Sequence, residues 1–181
     1  VMTYRGRYVR GWFSASCGGK TATAKEGLNF QGDEPPYIST VTCPEASVIP
    51  KEERFWSKNF TGAEVSSAYR ELGKKIGQLQ KISVERKGPS GRAVSVKATG
   101  SEGQASVHGA ELRTAIDPKA MRSTYLLSLK MAGGTVEMEG RGFGHGVGLC
   151  QWGAYAMAKK GDSPTEIVKH YYPKVKIVDL W

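Results

Sequence analysis

The chain has 181 residues, 39% hydrophobic and 24% charged, an ordinary composition for a globular protein long enough for one domain. Its 26 lysines and arginines against 17 acidic residues leave a net charge of +9, a field that favours polyanions. The basic residues are scattered rather than gathered on one helix, which sets nucleic acid aside, and no apolar run approaches the roughly 20 residues that span a bilayer.

The first residues alternate and carry β-formers, so two short strands are expected within Val1–Ser16, joined at Arg5-Gly6. A small-residue loop follows, S-A-S-C-G-G-K-T, whose two glycines let the chain pass close to another strand or to a ligand. Pro35-Pro36-Tyr37 leads into an expected strand over Ile38–Thr42, and Cys43–Lys58 reads as charged loop ending in Phe55-Trp56. Thr61 followed by Glu64 is a capping box, which predicts a helix over Thr61–Leu72 with Gly73 just past its end. From Ile76 to Val107 alternation predicts strands turning at Gly88–Gly91 and again at Thr99–Gly103.

His108–Arg113 begins a short helical segment. Tyr125–Ala132 and Thr135–Glu139 form a hairpin across Gly133-Gly134. That hairpin delivers the chain into Gly140–Ala154, G-R-G-F-G-H-G-V-G-L-C-Q-W-G-A, where glycine holds nearly every second position up to Gly148. So dense a run is an enforced loop rather than a strand. It has neither a P-loop Gly-Lys-Ser/Thr nor a clean G-x-G-x-x-G, which argues against phosphate binding. A helix over Gln151–Lys160 follows, then a Ser163/Glu166 capping box with Pro164 at the first helical position, and a closing strand over Val175–Val178. These elements make an α+β fold, mostly antiparallel strands with three short helices, in one domain spanning residues 1–181.

Three cysteines, Cys17, Cys43 and Cys150, stand at wide spacings with no C-x-x-C. A Cys17–Cys43 disulfide, buried free thiols, and a zinc site of Cys and His are three readings left open by the residues. His145 is placed either to donate a hydrogen bond to a ligand or to be fixed by backbone carbonyls. A metal role is the weaker reading for it, since His108 and His170 show no ligand spacing relative to it. Arg113 is expected to pair with Glu111 or Asp117, or to hold a substrate carboxylate.

The words of Gly140–Ala154, then A-K-K-G and E-I-V-K-H-Y-Y-P, resemble the C-terminal signature of the SpoIID/LytB family, which comprises a peptidoglycan lytic transglycosylase of sporulation and the LytB amidase enhancers. The resemblance extends to Phe13, Gly18, Gly19 and Thr21 (F-x-x-x-S-G-G-x-T, with Cys17 where serine is commoner), to P-Y-I-S-T-V at Pro36–Val41, and to Ser123-Thr124-Tyr125. It implies a glycan groove with Tyr37, Arg113, His145, Gln151 and Trp152 as substrate-binding residues, and no cofactor. The partners it implies are peptidoglycan glycan strands, anionic wall polymers, and an amidase or other sporulation wall enzyme. An extracytoplasmic place follows, at the wall or anchored to the membrane through a segment outside this chain.

For lytic cleavage one carboxyl group protonates the leaving oxygen and then, as carboxylate, draws the proton that lets the sugar's own hydroxyl close a ring. A hydrolase generally needs two. The family's acid is a glutamate in an alanine-rich helical stretch with no counterpart here. It is expected upstream of Val1, which would leave this chain alone inactive, with Glu111 as the fallback acid. Competing readings are a non-catalytic wall-binding module that enhances an amidase, and a zinc-dependent wall hydrolase.

Overall fold

A computed structural model describes residues 1–180. Strands β1 (Met2–Tyr4) and β2 (Arg7–Tyr8) form the expected hairpin, with Arg5 and Gly6 both at positive φ, 50° and 76°, as a two-residue turn of this hand requires. Strand β3 (Phe13–Ser14) leads into the cysteine-glycine loop. Helix α1 (Ala24–Leu28) follows, opened by a Thr23/Glu26 capping box and closed by Asn29 in the left-handed region. It was not expected from the sequence. The strand expected over Ile38–Thr42 is absent; only an isolated bridge joins Thr42 to Lys20. Its physical reason is local: Thr21 Oγ1 takes the Val41 amide at 2.8 Å, so a side chain stands where a ladder bond would be.

The segment read as loop over Cys43–Lys58 is largely structured. It holds a 3-10 turn (Pro44–Ser47), a one-turn helix α2 (Lys51–Arg54) and the start of strand β4 (Phe55–Thr61). Thr61 then caps α3 (Gly62–Glu71) with its Glu64 box in place. Strands β5 (Leu79–Lys87), β6 (Ala93–Gly100) and β7 (Gly103–His108) make an antiparallel meander, and His108 caps α4 (Gly109–Ile116). The hairpin β8 (Leu126–Ala132) and β9 (Thr135–Arg141) pairs with β4 in the order β4-β9-β8. After the glycine-rich loop, β10 (Leu149–Cys150) lies parallel to β3, and α5 (Gln151–Lys159) and α6 (Pro164–Tyr171) follow. Strand β11 (Lys176–Ile177) returns to β1, so the two ends of the described chain meet. The fold is α+β, and among the described residues every strand ladder except β3/β10 is antiparallel, with one isolated parallel bridge between Ala22 and Val147.

Side chains are buried in two clusters. The first lies between the two larger sheets, α3 and α4: Trp56 and Phe60 of β4, Val65, Ala68 and Tyr69 of α3, Val96 and Ala98 of β6, Leu112 of α4, and Val136 and Met138 of β9. Period-two burial along β6 and β9 turns alternate residues to this core. The second gathers Cys17, Ala22, Ile38, Cys43, Val147, Cys150, Ile167, Tyr171, Tyr172 and Val175 from loops, short strands, α5 and α6. Arg92 stands fully buried beside it, donating to the carbonyls of Cys17 (2.6 Å) and Lys20 (3.0 Å) and to Ser90 Oγ (3.1 Å).

Candidate functional site

The glycine-rich loop does not hang free. It is zipped along residues 12–22 by backbone bonds: Ser16 and Phe143 exchange both of theirs (3.1 and 2.8 Å), Ala22 donates to the Gly146 carbonyl (2.8 Å), and Leu149 donates to Trp12 (3.0 Å). Gly146 has φ +76°, and a Cβ there would overlap the buried Arg92 guanidinium; one on Gly148 would overlap the Trp12 carbonyl. These glycines therefore face the protein, not an approaching ligand. Their absent side chains let the loop press onto the strand beside it.

What the loop presents outward is His145. Together with Gly27 and Leu28 of α1, Glu71 and Leu72 at the end of α3, the Ala110–Ala115 face of α4, and Thr124, it lines a cleft of about 510 Å3. The cleft exists because α1 packs against the loop through Gly27, where a Cβ would collide with the His145 carbonyl and Val147. The imidazole Nδ1 accepts the Val147 amide at 3.0 Å. Burial, helped by Arg113 and Arg92, pushes the ring down to about 4, against a hydrogen bond with the Phe13 backbone. At neutral pH it is uncharged, with its proton on Nε2.

Glu111 is exposed on the rim and takes a 2.9 Å hydrogen bond from Asn29 Nδ2, which ties α4 to the end of α1. Arg113 does not pair with Glu111 or Asp117 as expected. Its Nε donates to the carbonyls of Met121 (2.9 Å) and Arg122 (3.1 Å), and its Nη2 to that of Pro118 (2.7 Å). The guanidinium thus satisfies the carbonyls of the turn after α4 while one edge lines the cleft. Asp117 is engaged by the amides of Lys119 and Ala120 instead.

The structure brings together Glu111, Arg113 and His145 but not the other residues expected with them. Gln151 and Trp152 open α5 and line a separate surface hollow with Val48 and Tyr155, where Trp152 meets Tyr155 edge-on. Tyr37 packs on the second core, its ring tilted against Tyr4. The cleft residues that escaped the reading of the sequence include Gly27 and Leu28 of α1, Glu71 and Leu72 at the end of α3, and Thr114 and Ala115 of α4. Helix α1 was not expected at all, and for α3 nothing local said which way its end faced.

The three cysteines converge. All are free, so the structure contains no Cys17–Cys43 bridge, and Cys150 lies in the same cluster with them and the carboxylate of Glu45. None of the three histidines belongs to this group, against the Cys-and-His zinc set entertained from the sequence. A metal would here find three sulfurs and one carboxylate.

Residues 49–148 match the model of a family described as a domain of unknown function, DUF8618. The chain is 31% identical over 179 residues to an uncharacterized protein of Brachyspira hyodysenteriae, covering 99% of this chain and 46% of that protein. It is 28% identical over 177 residues to the stage II sporulation protein D of Bacillus subtilis, covering 98% and 47%. A 68-residue stretch is 44% identical to the amidase enhancer of Bacillus subtilis, 38% of this chain and 10% of that one. The chain spans about half the length of the first two.

Proposed function

The chain belongs to the SpoIID/LytB family, and on that footing we propose that it binds peptidoglycan glycan strands and forms the cleft of a lytic transglycosylase acting on the cell wall in sporulation or wall remodelling. The observation that carries this reading is the convergence of Glu111, Arg113 and His145 on one cleft, to which the family's signature loop contributes His145. Its volume suits a ligand of one to a few rings. The apolar stems of Leu28, Leu72 and Ala115 offer a surface for sugar C–H faces, and the polar groups bond to hydroxyls and amides. His145 supplies no charge at neutral pH and acts by position alone. Cleavage needs a carboxylic acid at the glycosidic oxygen, and this role is not assigned to Glu111, whose Asn29 bond holds it at the rim.

Thr114 is exposed on the cleft face of α4, so Thr114→Trp fills the cleft without touching either core. Titration of denuded glycan strands should show binding weakened at least tenfold while the melting temperature holds. Equal affinity in parent and variant would remove the cleft from glycan recognition. The local likeness to an amidase enhancer favours a second reading, binding without cleavage. Absence of 1,6-anhydro sugar ends from glycan treated with the full-length protein would select it.

A further inference from the structure

Away from the cleft, the Sγ atoms of Cys17, Cys43 and Cys150 and a carboxylate oxygen of Glu45 all lie within 4.8 Å of one another. Each of the four residues is at most 5% exposed. They arrive from three separate places: the loop after β3, the 3-10 turn at Pro44–Ser47 with the residue before it, and the cap of α5. Four zinc-bound ligands in a tetrahedron, with sulfur at about 2.3 Å from the metal, stand about 3.8 Å apart, so the cluster needs little contraction to close on an ion.

Thiol packing alone leaves the carboxylate unexplained. Glu45 is fully buried, and its hydrogen-bond partners are Ser16 Oγ (3.1 Å to each oxygen), the Cys17 amide (3.1 Å), and the sulfurs of Cys150 (2.9 Å) and Cys17 (3.7 Å). No lysine or arginine side chain is among these partners, and a buried carboxylate with no cation against it is costly. The surroundings also suit thiolates. Cys150 Sγ accepts the amides of Cys17 (3.3 Å) and of Gly153 (3.4 Å) in the first turn of α5, and Cys43 Sγ is 3.3 Å from the Tyr171 hydroxyl. A Cβ on Gly153 would overlap both Cys43 Sγ and Tyr171 Oη, so glycine there is what lets the helix press onto the sulfur.

We propose that Cys17, Cys43, Cys150 and Glu45 form a closed structural Zn2+ site that clamps the start of α5, and with it the glycine-rich loop, onto the segment after β3. Three soft sulfurs select zinc over magnesium or calcium. All four positions are filled by protein, which makes the ion structural rather than catalytic. Binding releases the thiol protons to solvent and leaves the cluster at a net charge of −2, with the Arg92 guanidinium donating to the Cys17 carbonyl beside it.

Elemental analysis of the parent, purified without chelator, should give one zinc per chain, released in full by a mercurial reagent. Replacement by cobalt should give the strong thiolate charge-transfer absorption of a tetrahedral site. Cys150→Ser should lower zinc affinity at least a hundredfold and Glu45→Gln at least tenfold, each read by competition with a chromogenic chelator. Should either variant fail to fold, the parent's stoichiometry and cobalt spectrum decide alone. Reduced parent equilibrated with zinc that retains under a tenth of an equivalent would overturn the proposal. So would a native mass two daltons low from a Cys17–Cys43 bridge, and unchanged affinity in Glu45→Gln would overturn the four-ligand set.

Discussion

The two buried clusters are built on different principles. The first is aliphatic and aromatic, drawn from α3, α4 and two three-stranded sheets, and most residues in it follow from a helical or alternating pattern. The second carries three cysteines and two tyrosines on short pieces of chain, with the buried groups Ser16, Glu45 and Arg92 beside it. Area burial is enough to account for the first. In the second, loops this polar and this glycine-rich need specific bonds, and the proposed zinc is the strongest of them. The cleft lies where the two meet, with α3 and α4 on one wall and α1 and the glycine-rich loop on the other.

The contrast predicts unequal responses. Removing the metal, or replacing Cys150 with Ser, should cost at least about 4 kcal/mol, a fall of about 8–16 °C in melting temperature, with the loss confined to the second cluster. Leu112→Ala in the first should cost about 3 kcal/mol, since the side chain is fully buried, and cost the same with metal present or stripped. A different cost in the two states would mean the clusters are one.

Gly153→Ala separates packing from propensity. Alanine favours a helix by about 1 kcal/mol over glycine, yet the new methyl must displace Cys43 Sγ and Tyr171 Oη, so a net loss of about 2–3 kcal/mol is expected by thermal or urea unfolding. A gain in stability would show that α5 does not press on the sulfur. His145 gives the smallest effect. Its folded value near 4 lies below the ordinary 6.5, so folding releases its proton, and the stability this contributes is present above pH 6.5 and is lost as pH falls toward 4. Relative to His145→Gln, the parent should lose about 2 kcal/mol between pH 8 and pH 5. Parallel pH profiles would contradict the burial of the ring.

Most of the fold was legible wherever the signal was local. The Thr61/Glu64 and Ser163/Glu166 boxes capped the helices they announced, and Gly133-Gly134 turned the hairpin between β8 and β9. The Thr23/Glu26 box was equally local, but α1 is only five residues long and has no apolar period to set it apart from loop. Strand β4 hid for a related reason: of F-W-S-K-N-F-T only Trp56 and Phe60 are buried, and the residues between them read as charged loop. Of the candidate site, His145, Arg113 and Glu111 were found together because the motifs that carry them flank one cleft. Trp152 and Gln151 were grouped with them but stand apart in the structure. They follow His145 in sequence, but the turn into α5 carries them to another face. The cysteine cluster is tertiary throughout, since no spacing along the chain records that Cys17, Cys43 and Cys150 meet.

The distinction between the clusters is tested most directly by native-state hydrogen exchange on the zinc-loaded and metal-stripped protein. Stripping should remove protection from the amides that bind the second cluster together, those of Ser16, Cys17, Ala22, Phe143, Leu149 and Gly153. Amides of β6 and β9 should keep theirs. Protection lost evenly across the chain, or unchanged at Cys17 and Gly153, would contradict the account.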